Sequence, residues 1–254
     1  MSNNGRPGRP NQPLETWLFA ILMHEQSSTK HKMMHQKLSS RHQEPQILVT
    51  SECFPVCFHS DVNMVISAPT GSGKTVLFEL CILRLLSRFI NAEGRFVHVK
   101  GSLKTIYIAP SKALVQEKFR DWNQKFGTWG INCLELTGDN GTYNSRNMHD
   151  VDIILTTPEK FDAVSRYGVE GGGLSFFSGI ALLLIDEVHL LNDPRGASLE
   201  AIVSRIKIVA SNPKMKLNPI AQVRFLAVSA TIPNIEDLGN FYSNQCYPES
   251  WKLK

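Results

Sequence analysis

The chain lacks cysteine pairs at disulfide or metal spacing, long apolar runs, and net charge outside its first residues. Its five cysteines stand at 53, 57, 81, 133 and 246 with no C-x-x-C pair. That excludes a disulfide scaffold and reads as the reduced thiols of an intracellular protein. Cys53 and Cys57 lie beside His59 without clustered histidine ligands, so they read as small buried apolar residues rather than a metal site. The longest N-terminal apolar run, WLFAILM at 17–23, is too short to cross a bilayer, and no small-residue cleavage site follows it. No membrane partner is expected.

Charge is as uninformative as cysteine. The formal net charge is +4, from 27 Lys/Arg and 23 Asp/Glu. Residues 1–44 hold six of the basic and three of the acidic residues, leaving 21 against 20 in the rest. Global electrostatics therefore gives no argument for a nucleic-acid partner.

What is present is an ordinary globular composition, 42% apolar and 20% charged over 254 residues, enough for one large or two small domains. Residues 1–48 differ from the rest: MSNNGRPGRPNQP and SSTKHKMMHQKLSSRHQEPQ are polar and turn-rich, the second carrying four basic residues. We expect a flexible polar and basic arm there, with a short helix over LETWLFAILMHEQ.

From residue 49 apolar strand runs alternate with helical stretches. NMVISAP (63–69) precedes a helix from Lys74 to about Ile90, and TIYIAP (105–110) precedes one over 111–126. In the second helix Val115, Phe119, Trp122 and Phe126 recur at helical spacing behind Ser111, a suitable N-cap. Further strands are expected at 131–139, 152–158, 181–187 and 223–231, with helices over 197–210 and from Asn234. This order predicts an α/β fold: a mostly parallel sheet with helices on both faces. Each strand ends in a small, hydroxylic or charged cluster: APTGSGKT, APSKA, TGD, TTPEK, DEVH and SAT. In an open α/β sheet that edge is where ligands bind.

SAPTGSGKTVLFEL carries the most specific chemistry. Gly71 and Gly73 let the backbone turn tightly and present N–H groups to phosphate oxygens. Lys74 reaches the β/γ-phosphates, Thr75 offers a hydroxyl to Mg²⁺, and the following helix points its positive end at the anion. This is a P-loop with Ala68 in place of the opening glycine. Mg²⁺ also needs a carboxylate near Thr75. ALLLIDEVH delivers Asp186 for that purpose, and beside it Glu187 to orient and deprotonate an attacking water. EGGGLSFF (170–177) reads as a surface loop.

Taken together and in order, these six clusters resemble motifs I, Ia, Ib, Ic, II and III of superfamily-two DExH-box helicases, over roughly Ser51 to Leu238. GSGKTVLFELCILRLL, IYIAPSKALVQEKFRDWNQKFG, LTTPEKFD and LLIDEVHLLNDPRG look closest to the meiotic crossover-promoting helicases of plants, the Mer-three type. The resemblance implies a RecA-like P-loop NTPase domain over 49–238 and a nuclear, ATP-dependent DNA helicase of the 3′–5′ type acting in meiotic recombination. A nucleic-acid-binding fragment without turnover, or an RNA helicase fragment, is the alternative. By resemblance, Ala68, Pro69, Thr70, Gly71, Ser72, Gly73, Lys74 and Thr75 bind ATP; Thr75 and Asp186 hold Mg²⁺. Lys74, Asp186, Glu187 and His189 form the catalytic group. Pro110, Ser111 and Lys112, Thr137, Gly138 and Asp139, and Thr157, Pro158, Glu159 and Lys160 line a track for single-stranded or branched DNA. Ser229, Ala230 and Thr231 couple nucleotide state to domain movement.

The pattern breaks at both ends. Thr50 stands where the family has an adenine-reading Gln, and residues 239–254 form a divergent tail. The resemblance implies a second RecA-like domain that supplies an arginine finger, and we expect it to be missing from this chain. We therefore expect a truncated product that binds Mg·ATP weakly, hydrolyses it slowly and does not unwind duplexes alone.

Overall fold

A computed structural model describes residues 53–69, 73–93, 95–138, 148, 150–170, 177–189, 194–230, 235–242 and 251–253. The expected polar arm lies outside them, as do Thr70, Gly71, Ser72, Asp139 and Thr231.

Seven strands form one parallel sheet: β1 (Met64–Ser67), β2 (Lys104–Ile108), β3 (Cys133–Leu136), β4 (Ile153–Thr156), β5 (Ile180–Ile185), β6 (Arg224–Ser229) and β7 (Trp251–Leu253). Their spatial order is β3-β4-β2-β5-β6-β1-β7. β5 is buried at all six positions, as its unbroken apolar run requires of a strand covered on both faces. Alternate residues feed two cores. Tyr107 and Leu184 point to one, and Ile106, Ile108, Leu183 and Ile185 to the other.

The first core is covered by a helical segment over 53–59, by α1 (Lys74–Leu86) and by α2 (Lys112–Gly127). α1 starts at Gly73, whose φ of 82° lies in the left-handed region that glycine enters without steric cost. α1 ends at Leu86, short of the expected Ile90. The Ser87 hydroxyl turns back to donate to the Arg84 carbonyl (2.7 Å), and the chain tightens into a 3₁₀ turn over Ser87–Phe89. α2 follows its sequence pattern: Ser111 Oγ accepts from Leu114 N (3.3 Å), Val115, Trp122 and Phe126 are buried, and Phe119 packs partly buried.

The second core is covered by α3 (Pro158–Glu170) and α4 (Pro194–Ala210), with α5 (Ile235–Tyr242) beside them. α3 goes beyond the sequence expectation, although a hydroxylic residue followed by proline at the first helical position is a helix-start signal. Phe177, the last residue of the stretch read as a surface loop, is fully buried in this core; residues 171–176 lie outside the described set. α5 runs through residue 239 to Tyr242, and β7 pairs with β1. No described helix is long and apolar enough to cross a membrane.

Arg224, at the start of β6, ties the segment 53–59 to the sheet. It is 5% exposed and donates to the carbonyls of Val56 (3.0 Å), Cys57 (2.9 Å) and Val62 (3.0 Å). These include carbonyls near the C-terminal end of the helical segment, where no intrahelical donor is available. Cys53 and Cys57 are fully buried there, as their apolar reading anticipates.

Candidate functional site

Because all strands are parallel, their C-terminal ends lie on one edge, and strand order sorts the clusters carried there. β3, β4 and β2 are neighbours and carry Thr137–Gly138, Thr157–Lys160 and Pro110–Lys112. β5, β6 and β1 are neighbours and carry Asp186–His189, Ser229–Ala230 and Ala68–Pro69. β5 and β1 are two strand spacings apart, about 10 Å. The acids and the glycine-bounded turn are thus on the same edge with β6 between them.

The end of β1 that leads into the turn is anchored twice to β6. Ala68 N donates to the Ser229 carbonyl (3.1 Å), and Ser67 Oγ donates to the Ala230 carbonyl (3.2 Å). Gly73 delivers the chain into α1, where Lys74 is 9% exposed and Thr75 follows. Lys74 Nζ donates to the Ala68 carbonyl at 3.1 Å. A buried ammonium facing a carbonyl across this turn is a cation poised for an anion, which would satisfy it better than a neutral oxygen.

At the end of β5 the acids are held tightly. Asp186 N donates to the Ile108 carbonyl (2.9 Å), extending the ladder to β2 by one residue. One Asp186 oxygen, Oδ1, accepts from Glu187 N (3.0 Å), and the other, Oδ2, accepts from the Tyr107 hydroxyl (2.7 Å). Burial pushes the Asp186 carboxyl above the usual carboxylate range. The Tyr107 hydrogen bond opposes that shift and the Glu187 charge adds to it. Burial, with the Asp186 charge, likewise pushes the Tyr107 phenol above its ordinary value.

Glu187 adopts φ 53°, left-handed for a residue that carries a side chain. That conformation costs about 1–2 kcal/mol, and such strain concentrates at functional positions. Glu187 Oε2 lies 3.2 Å from His189 Nδ1 but is a buried acceptor with no hydrogen bond among the described residues. His189 Nδ1 is also 3.2 Å from Ser229 Oγ. Glu187, His189, Ser229 and Ala68 therefore form one contiguous path along the β5-β6-β1 half of the edge.

The other half is polar and built from helix starts. Ser111 caps α2, and the adjacent Lys112 ammonium lies where a Cβ on Gly138 would meet it at 3.4 Å. Thr137 Oγ1 donates to Glu135 Oε1 (2.8 Å), and Pro158 opens α3 with Glu159 in its first turn. Between the halves is a shallow cleft lined by Ile108, Pro110, Pro158, Asp186, Glu187 and Val188.

The described residues singled out from the sequence lie on this one sheet edge or at the starts of the helices that leave it, in two neighbouring groups. Sequence reasoning missed Ser67 and Tyr107. Ser67 reads as an ordinary strand residue. Tyr107 reads as one more apolar strand position, and only the register that sets β2 beside β5 shows what its hydroxyl faces.

A parallel α/β sheet with a lysine-bearing turn entering α1, and paired acids two strands away, defines a nucleotide-binding domain of the RecA-like P-loop class. The chain belongs to the DEAD/DEAH box helicase family, whose pattern matches residues 27–238 and so begins upstream of Ser51. It is 75% identical over 191 residues to the ATP-dependent DNA helicase homolog MER3 of Arabidopsis thaliana, covering 75% of this chain and 17% of that protein. It is 40% identical over 188 residues to the ATP-dependent DNA helicase MER3 of Saccharomyces cerevisiae, covering 74% of this chain and 14% of that one. The chain thus spans less than a fifth of these relatives. Among solved structures, that of Mss116p bound to ssRNA and AMP-PNP has a TM-score of 0.58 at 22% identity, over 78% of this chain and 37% of that one, a likeness of fold.

Proposed function

We propose that this chain is the ATP-binding half of a nuclear DNA helicase of meiotic recombination, acting on single-stranded or branched DNA with a second RecA-like domain. The observation that carries this is the division of one sheet edge into a lysine–acid half and a hydroxyl–lysine half meeting at Asp186. The names of the two MER3 relatives, ATP-dependent DNA helicases, support DNA as the substrate, and the meiotic setting rests on the motif resemblance to the plant crossover-promoting helicases.

The donor set fits Mg·ATP. Lys74 is a buried cation bonded to a neutral carbonyl, Asp186 retains acceptor capacity on both oxygens, and Glu187 Oε2 is a buried acceptor with no hydrogen bond among the described residues. Ala68–Thr75 cradle the phosphates, with Thr75 and Asp186 holding the metal. Mg²⁺, when bound, offsets charge on the phosphate oxygens. Lys74 binds the terminal phosphates as a point charge. Glu187 orients the attacking water and takes its proton on Oε2. His189, Ser229, Ala230 and Thr231 relay the change to the partner domain. Pro110–Lys112, Thr137–Asp139 and Thr157–Lys160 contact the strand's phosphates and carry no sequence preference.

The test is steady-state ATP hydrolysis by the chain with and without single-stranded DNA or RNA, beside Glu187→Gln. We expect slow hydrolysis, faster with DNA, reduced at least 100-fold in Glu187→Gln with nucleotide binding retained. Equal hydrolysis by Glu187→Gln would remove the proposed role of that residue. Stimulation by RNA but not DNA would transfer the reading to the RNA branch, and binding without turnover in the unaltered chain would leave a binding module.

A further inference from the structure

Tyr107 crosses the seam between the two halves of the edge. It stands on β2, three residues before Pro110, and its hydroxyl reaches Asp186 at the end of β5. The ring is fully buried and wedged edge-on between Phe78 of α1 (5.6 Å between centroids) and Trp122 of α2 (5.0 Å). Those are the helices that leave the phosphate turn and the Pro110–Lys112 cluster. The wedge is itself pinned. Trp122 Nε1 donates to Glu79 Oε1 of α1 (3.2 Å), and Lys125 Nζ donates to the same oxygen (2.8 Å).

Packing alone does not account for the hydroxyl. Phenylalanine would fill the same wedge without burying a polar atom beside a carboxylate. What the hydroxyl adds is a second donor to Asp186. Glu187 N fixes Oδ1 and Tyr107 fixes Oδ2, one from each side of the seam, so the carboxylate plane cannot turn without breaking a bond. Each oxygen keeps one further lone pair for a ligand.

We propose that Tyr107 is a positioning residue: its hydroxyl holds the Asp186 carboxylate in the orientation that receives the divalent cation of Mg·ATP. This rests on the assignment of Asp186 to the metal, and the experiment keeps the two apart. Outer partners of ligating side chains typically change metal affinity by about 10–100-fold when lost.

The experiment measures binding of a fluorescent ATP analogue to the 254-residue chain across a series of free Mg²⁺ concentrations. Its variants are Tyr107→Phe, Asp186→Asn, the double variant, and Trp122→Phe as a packing control. Tyr107→Phe should raise the Mg²⁺ midpoint about tenfold and leave binding of metal-free nucleotide unchanged, while Trp122→Phe leaves the midpoint in place. In the Asp186→Asn background, Tyr107→Phe should shift the midpoint no further, a non-additivity that identifies the carboxylate as the hydroxyl's target. An unchanged midpoint in Tyr107→Phe, or equal shifts in both backgrounds, would overturn the inference while leaving the site intact. An unchanged midpoint in Asp186→Asn would instead overturn the metal assignment and this inference with it.

Discussion

Asp186 shows what a buried carboxylate costs the fold. Its carboxyl titrates above the usual range because burial disfavours the charged form. Between the ordinary value, about 4, and the raised one, the folded chain holds a proton that the unfolded chain has released. Stability therefore falls as pH rises through that window, and above it the ionised carboxylate is a standing cost. Asp186→Asn removes the charge and can keep both contacts, its amide oxygen accepting from Glu187 N and its NH₂ donating to the Tyr107 hydroxyl oxygen. The variant should melt a few degrees above the unaltered chain at pH 7–8, with the difference closing as pH drops below the ordinary carboxylate range. Paired thermal melts across pH would check this. A variant less stable at neutral pH would mean that the charge is already compensated by the protein. Such a gain in stability at the expense of the site is the usual trade at catalytic positions.

Elements were legible where one periodicity dominated. α2 could be read from Val115, Phe119, Trp122 and Phe126 behind Ser111, because one face buries and the capping residue is local. β5 and β6 could be read because strands covered on both faces are continuous apolar runs. The segment 53–59 and α3 were missed: one is short, and the other's proline start lay inside a cluster read for its chemistry. Tyr107 was invisible for a different reason. Its role depends on β2 lying beside β5, a non-local pairing that no spacing within IYIAP encodes. Arg224 is similar, a strand residue whose three carbonyl partners lie more than 160 positions away. Arg224→Met should remove the Arg224 donor from all three carbonyls, of which the Cys57 carbonyl keeps only the weak Cys81 thiol, at about 1–3 kcal/mol for each buried group left unsatisfied. Urea denaturation would read that loss, and amide exchange should show residues 53–62 opening before β5. Unchanged protection over 53–62 would contradict this account of the segment.

At the scale of the molecule, strand order turns six scattered clusters into two adjoining surfaces. The family could be read from residues alone because the clusters recur in a fixed order, but their division across the sheet could not, since β4 and β5 lie on opposite sides of β2. The chain covers 17% of its Arabidopsis relative, and residues from a second domain are worth orders of magnitude in phosphoryl transfer. Alone, the chain is expected to bind Mg·ATP and turn it over slowly.

The central claim is that the turn at 68–75 and the acids at 186–187 address one metal-bound nucleotide. Replacing Mg²⁺ with Fe²⁺ and generating hydroxyl radicals at the bound ion cuts the backbone next to the metal. The account predicts two cuts that depend on added nucleotide, one at residues 73–75 and one at 186–187, both lost in Asp186→Asn. Cleavage at only one of these places, or cleavage indifferent to nucleotide, would contradict it.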